Sequence, residues 1–249
     1  MTTTIRPRVA EPAPVRSHRQ TAAVVGALFL ITYITSITAK FSLYPPLLDN
    51  PDYLVSAGDD NKVLWGAFLE VILIIANIGT AVALFPLLRR RYEGLALAFV
   101  TARVIESVFI AVGILAALTA VTLRQDVAGD GDASSATLIA IGHTLVTLQE
   151  WTFNLGPGFV VGVGNGLLLG YMLYRTGLVP RGMAWLGLVG GPLLCLSGTA
   201  VLFGVIEAGS VPLMVACIPE FFWELSLGIY LLVKGFKPSS LTGHEAGAH

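Results

Sequence analysis

Long apolar runs broken by short polar joints organise this chain. Six such runs fall at residues 21–39, 63–88, 95–123, 153–174, 183–206 and 211–233. About 20 apolar residues cross the hydrocarbon core of a bilayer as a helix, so each run is long enough to span it. A backbone in lipid has no water to bond, and a helix satisfies its polar groups internally. The joints carry turn formers: Tyr44-Pro45-Pro46 after the first run, a Gly/Asp-rich stretch at 127–132 after the third, Thr176-Gly177-Leu178-Val179-Pro180 after the fourth, and 207–210 after the fifth. The pattern predicts an all-α fold, a polytopic membrane bundle of six transmembrane helices over residues 20–236. A disordered basic tail at 1–19, with Pro7, Pro12 and Pro14, and a polar disordered tail at 237–249 flank it.

The segment 134–151 departs from this regularity. It is moderately apolar, holds His143, Gln149 and Glu150, and leads straight into the fourth run. Together the two amount to about 40 residues, or roughly 60 Å of helix at 1.5 Å per residue, twice the hydrocarbon thickness. Asn154-Leu155-Gly156-Pro157-Gly158 offers a natural break, since proline removes a backbone donor and glycine loosens the chain. The expectation is a kinked fourth helix, or a separate outer helix lying against the bundle.

Charge then orients the runs. Arg6, Arg8, Arg16 and Arg19 precede the first, and Arg89, Arg90 and Arg91 follow the second. Arg175 and Arg181 bracket the fourth joint, and Lys234 and Lys237 close the last. The alternate joints hold Lys40, Lys62 and Arg124 and carry the acids Asp49, Asp52, Asp59, Asp60, Asp126, Asp130, Asp132 and Glu207. Basic residues concentrate in cytoplasmic loops, so both termini are expected inside. The first run reads as an uncleaved helix rather than a signal peptide, because Thr38-Ala39-Lys40 is a poor cleavage site.

Composition agrees with this class. The chain is 55% hydrophobic and 12% charged, against about 25% charged in an average soluble domain. A net charge of −1 supplies no basic surface for a nucleic acid. Cys195 and Cys217 both lie in apolar stretches without a CxxC neighbour and read as packing thiols.

The candidate chemistry lies in the charges embedded in these runs. A charge at the centre of a membrane helix costs about 2.5–3.5 kcal/mol on insertion scales, so it faces a partner or a wet cavity. Glu70, Arg103, Glu106, Glu220 and Glu224 are so placed. Arg103 and Glu106 are three apart and share a helix face. Glu220 and Glu224 are four apart and share another; like charges at that spacing repel, so one carries a proton or Arg103 lies between them. With His143 and Glu150 from the outer segment, these residues form the candidate ligand-binding cluster. Charges that merely pin helices in register would look the same. No H-E-x-x-H, paired E-x-x-H or G-x-S-x-G occurs, so the sequence indicates neither a metal site nor a nucleophile motif, and it implies no cofactor.

A second pattern is steric. Gly158, Gly162, Gly166 and Gly170 recur every four residues with Asn165 beside them, a ladder that lets another helix approach closely. The fifth run, with Gly187 and Gly191, is one partner for it; a second protomer is another. Asn77 and Asn154 are further groups able to bond across helices or line a cavity, and Pro86, Pro192, Pro212 and Pro219 predict kinks.

Phe85-Pro86-Leu87-Leu88-Arg89-Arg90, Ala102-Arg103-Val104-Ile105-Glu106, Gly177-Leu178-Val179-Pro180-Arg181 and Pro219-Glu220-Phe221 leading to Glu224 together resemble the integral membrane family catalogued as domain of unknown function 4386. The resemblance covers residues 20–236 and implies a bacterial multi-pass protein of the cytoplasmic membrane. It carries no activity, substrate or catalytic residue. The residues themselves favour binding or transport of a small polar ligand or proton at the carboxylate/arginine cluster. A membrane-embedded enzyme using Glu220 or Glu224 as general base, and a structural or regulatory subunit docking through the glycine ladder, are the alternatives. The lack of an evident inverted repeat weighs against transport.

Overall fold

The computed structural model describes residues 15–50, 52–56, 58–129 and 135–237. The tails expected at either end fall almost wholly outside the described residues, as do Arg6, Arg8, Asp130 and Asp132. Within them the chain is helical, without a strand: α1 Val15–Thr38, α2 Pro45–Leu48, α3 Asp60–Gly129, α4 Ser135–Phe153, α5 Gly170–Thr176, α6 Arg181–Leu202 and α7 Val211–Val233. Five stretches are long and apolar enough to cross a membrane: His18–Leu43, Asp60–Val127, Ser135–Thr176, Arg181–Leu202 and Val211–Val233.

The longest stretch is two helices, not one. Helical geometry in α3 fails at a single residue, Tyr92 (φ −137°, ψ 62°), at the end of the basic joint expected between the second and third runs. The two arms fold back on each other about this point. Arg124 reaches Asp60, and Asn77 bonds both Arg103 and Glu106, pairings that only an antiparallel hairpin permits. Among the described residues the bundle therefore contains six long helical rods.

The fourth rod is continuous from Ser135 to Thr176. The break expected at 154–158 takes the form of widened π turns at Asn154–Val160 and again at Gly162–Leu169, not a gap between two helices. Pro157 and the glycines explain it: a proline ring displaces the carbonyl one turn back, and glycine tolerates the wider winding. This rod runs antiparallel to the second arm of α3 along its length. Gly164 faces Ala102, Gly156 faces Phe109, and Gly113 faces Thr152. Gly177 closes the rod in the left-handed region (φ 67°), its N–H returning to the Leu173 carbonyl, and Pro180 then leads into α6. The fifth apolar run ends at Leu202, not at 206 as its hydropathy suggested, because Gly204 (φ 67°) turns the chain and the N–H groups of Val205 and Ile206 fold back onto the Ala200 carbonyl.

The two ends of the bundle differ. At one end Arg19 donates from α1 to the free carbonyls of Leu231, Leu232 and Val233 at the close of α7, and the Lys237 N–H bonds the Leu178 carbonyl. Tyr92 meets Tyr171 at the same end, 6.1 Å between ring centres. The joints rich in arginine and lysine thus share one end, as their alternation in sequence requires. The opposite end is tied by a polar clasp. Tyr53 donates to Asp60 at 2.7 Å, and Arg124 pairs with Asp60, bonds the Ser56 carbonyl at 3.1 Å and stacks 5.2 Å from the Tyr53 ring. Burial, and then the hydrogen bond to Asp60, push the Tyr53 hydroxyl up from its ordinary range, which keeps it a donor.

Between these ends the rods approach closely through glycine. A Cβ on Gly191 of α6 would lie 2.5 Å from the Gly162 carbonyl oxygen, and one on Gly162 would lie 2.7 Å from that of Gly191. Gly166 meets the Gly191 backbone, and Gly170 faces Gly187 and Leu188. Three of the four ladder glycines therefore abut α6 of the same chain; Gly158 meets only the Phe153 carbonyl of its own rod. Outward, Ile34, Ile75, Val82, Leu115 and Leu196 stand more than half exposed, an apolar surface suited to lipid.

Gly191→Ala is expected to lower the midpoint of thermal unfolding in detergent by an amount equivalent to about 1–3 kcal/mol, the usual cost of overpacking. Gly182→Ala, with nothing within 4 Å of the new methyl, should leave it unchanged or raise it. Equal behaviour of the two variants would show that the α6 contact is not tight.

Candidate functional site

The hairpin of α3 brings Asn77, about halfway along its first arm, opposite Arg103 and Glu106 on its second. Arg103 Nη1 donates to Glu106 Oε2 at 2.7 Å, Arg103 Nη2 donates to the Asn77 side-chain carbonyl, and Asn77 Nδ2 donates to Glu106 Oε1 at 2.9 Å. Three side chains close a ring in which each bonds the other two, and none exceeds 4% exposure. The i, i+3 spacing supplies the ion pair; the asparagine, with an NH2 donor group and a carbonyl acceptor on one planar amide, bridges it. Charge-assisted bonds of this kind are roughly twice as strong as neutral ones and return part of the desolvation cost of both charges.

A second element approaches from α7. Glu224 accepts a hydrogen bond from Asn165 Nδ2, and the Trp223 indole N–H donates to the Asn165 backbone carbonyl at 3.1 Å. Asn165 sits in the second stretch of widened turns and is fully buried. The local winding that follows from the glycine-rich sequence thus sets the position of the side chain that holds Glu224.

Between the ring and Glu224 lies a cavity of about 170 Å³. Its wall includes Thr32, Tyr33 and Ser36 from α1, Asn77, Arg103 and Glu106 from the hairpin, Pro157 and Val161 from the fourth rod, and Phe221 and Glu224 from α7. Helices from four parts of the chain meet here, and their polar side chains converge on one space.

The remaining candidates lie elsewhere. Glu220 is 3% exposed but does not line the cavity. Its carboxyl is wedged against Gly166 and Gly190, where a Cβ would stand 2.8 and 2.7 Å from Oε2, and neither oxygen has a hydrogen-bond partner among the described residues. Arg103 does not sit between the two α7 acids in a shared hydrogen bond. Its side-chain hydrogen bonds go to Glu106 and Asn77, while Glu220 and Glu224 turn to different neighbours. Glu70 is buried nearer the clasp end, accepting from the Tyr44 hydroxyl at 2.7 Å. His143 and Glu150 are exposed on α4, and Glu150 borders a separate cleft with Asn154 and Glu207. The single cluster drawn from sequence divides into a central cavity site, an isolated acid beside it, and outlying groups.

Sequence reasoning missed Tyr33, Thr32, Ser36 and Trp223. The hydroxyls recur on one face of α1, but that signal is weak because membrane serines and threonines commonly bond their own backbone, as Thr32 does with the Phe29 carbonyl at 2.8 Å. Among the described residues no three His, Cys, Asp or Glu side chains cluster as metal ligands would.

Arg103→Met should destabilise the protein by about 3–5 kcal/mol, since it strands Glu106 in a buried site, and the double variant with Glu106→Leu should recover most of that loss. Additive losses in a double-mutant cycle would mean that the pair is not coupled.

No curated protein and no solved structure matches this chain. The family model described as Domain of unknown function (DUF4386) matches residues 24–235, which include every side chain of the ring, the cavity and the glycine contacts. The chain belongs to that family.

Proposed function

We propose that this membrane protein binds, or passes across the bilayer, a small polar ligand or a proton at the cavity between the Arg103–Glu106–Asn77 ring and Glu224. The observation that carries the reading is Glu224 itself. The Arg103–Glu106 pair is electrically neutral, so a purely structural pin needs no further acid to balance its charge. A further carboxylate placed against open space inside an apolar bundle is the arrangement in which intramembrane acids bind ions, protons or substrates. Ser36 and Asn77 add polar groups to the same wall, as small-molecule sites do in an otherwise apolar setting. The shared end of the basic joints supports a bacterial cytoplasmic membrane location with six spans and both termini inside.

Water access separates this reading from a dry structural cluster. In a Cys195→Ser, Cys217→Ser background, Ser36→Cys on the cavity wall should react with a water-soluble thiosulfonate reagent at least about ten-fold faster than Ile34→Cys on the lipid side, because only a hydrated thiol ionises readily. Equal, slow labelling at both positions would identify the charges as helix-pinning groups and end the ligand reading.

A further inference from the structure

We infer that the ligand of this cavity is a small organic monocation, a protonated primary amine or a methylated ammonium ion. The inference rests on the proposed ligand site and fixes its chemistry. Among the described residues Arg103 is the cavity's one cationic wall residue, and its charge is met by Glu106 at 2.7 Å within the ring. Glu224 is a second carboxylate with no cation bonded to it. Its one hydrogen bond among the described residues is from the neutral amide of Asn165, and only through one oxygen. A cation seated against Glu224 favours its ionised form; with both acids then ionised the wall holds one negative charge in excess, and the one positive charge of the ligand balances it. An anion would instead confront two carboxylates and an arginine whose charge is already paired.

The aromatic groups point the same way. Tyr33 and Phe221 both line the cavity, their rings 5.2 Å apart and tilted 63° to one another. The Tyr33 hydroxyl is turned away to the Phe221 backbone carbonyl, so the ring and not the hydroxyl is what it offers. An aromatic face near a carboxylate suits an alkylammonium ion, which needs a counter-charge for its head and polarisable surface for its methyl or methylene groups. Size is compatible with this. A cavity of about 170 Å³ has room for a compact ion of a few heavy atoms, since roughly 10–15 Å³ of such space suffices for one water. Trp223 supplies a reporter, because its indole bonds the Asn165 carbonyl and Asn165 in turn holds Glu224.

The test uses the full chain in lipid nanodiscs, with Trp65, Trp151 and Trp185 changed to Phe so that Trp223 alone fluoresces. Tetramethylammonium and propylammonium should each shift its emission saturably, while propionate and 1-propanol should not. Glu224→Gln should weaken ammonium binding at least about ten-fold, the scale of losing a close charge partner. Phe221→Leu should weaken tetramethylammonium about three-fold. Glu150→Gln, at the separate cleft, should change nothing. Calorimetric titration of the same variants guards against a spectral artefact, and unaltered thermal midpoints guard against misfolding.

Saturable binding of propionate, or ammonium binding indifferent to Glu224→Gln, overturns the monocation assignment. So does absence of any ammonium binding while Ser36→Cys still labels from water, and in that case the ligand site survives with its chemistry wrong. If Ser36→Cys labels no faster than Ile34→Cys, the site itself fails and the inference with it.

Discussion

An arginine in the middle of a membrane helix must be neutralised by what surrounds it, and Arg103 is neutralised by the hairpin of α3. Glu106 alone, on the same arm, would leave each of the pair with unsatisfied donors or acceptors in a medium that offers none. Asn77 from the opposite arm adds a bond to each, donating to Glu106 and accepting from Arg103, and leaves Arg103 Nε without a partner among the described residues. The bonds therefore fix the register of two long apolar surfaces that would otherwise slide past one another with little penalty, since lipid is as apolar as leucine. A buried polar contact that specifies register at some expense of stability is the best-attested role of such groups. Here it holds the arms whose side chains make one wall of the cavity.

Close approach of backbones is the complementary constraint. The fourth rod and α6 touch at glycine, with no room for a methyl group on Gly162, Gly166 or Gly191. Beside that contact the Trp223 indole sits on the Asn165 carbonyl, and Glu220 is lodged against Gly166 and Gly190. The widened turns of the fourth rod belong to this arrangement. They depart from regular winding where Gly162, Gly164 and Gly166 tolerate it, and they gain a position for Asn165 from which its amide meets Glu224. Helix irregularities of this kind recur at functional sites because they re-aim a few groups without dismantling the helix.

Glu220 shows how two acids one turn apart acquire different roles. Glu224 has a donor and faces open space; Glu220 has neither donor nor space. Their shared helix face, legible in sequence, says nothing about this division. What separates them is the height at which the fourth rod passes α7, which sets Asn165 beside one acid and Gly166 beside the other.

The helical class, the six apolar runs, the close-packing glycines and the charges within the membrane followed from the amino-acid order alone, because each is a local matter: apolar length, small side chains, or one ionisable group where water is absent. Even the Arg103–Glu106 pair was legible, being three residues apart on one helix. The end of α6 at Leu202 was not, since hydropathy runs on to Ile206 while Gly204 turns the backbone. Nor was the site as such. His143 and Glu150 share the acid–base chemistry of the cluster but stand exposed on α4, and Glu70 is satisfied by Tyr44 nearer the clasp end. Conversely, Tyr33 and Phe221 read as ordinary membrane residues until α1 and α7 come together. Sequence determined which residues need partners; only the tertiary structure decided which partners they found, because that choice depends on register and interhelical distance, and neither is encoded in any single helix.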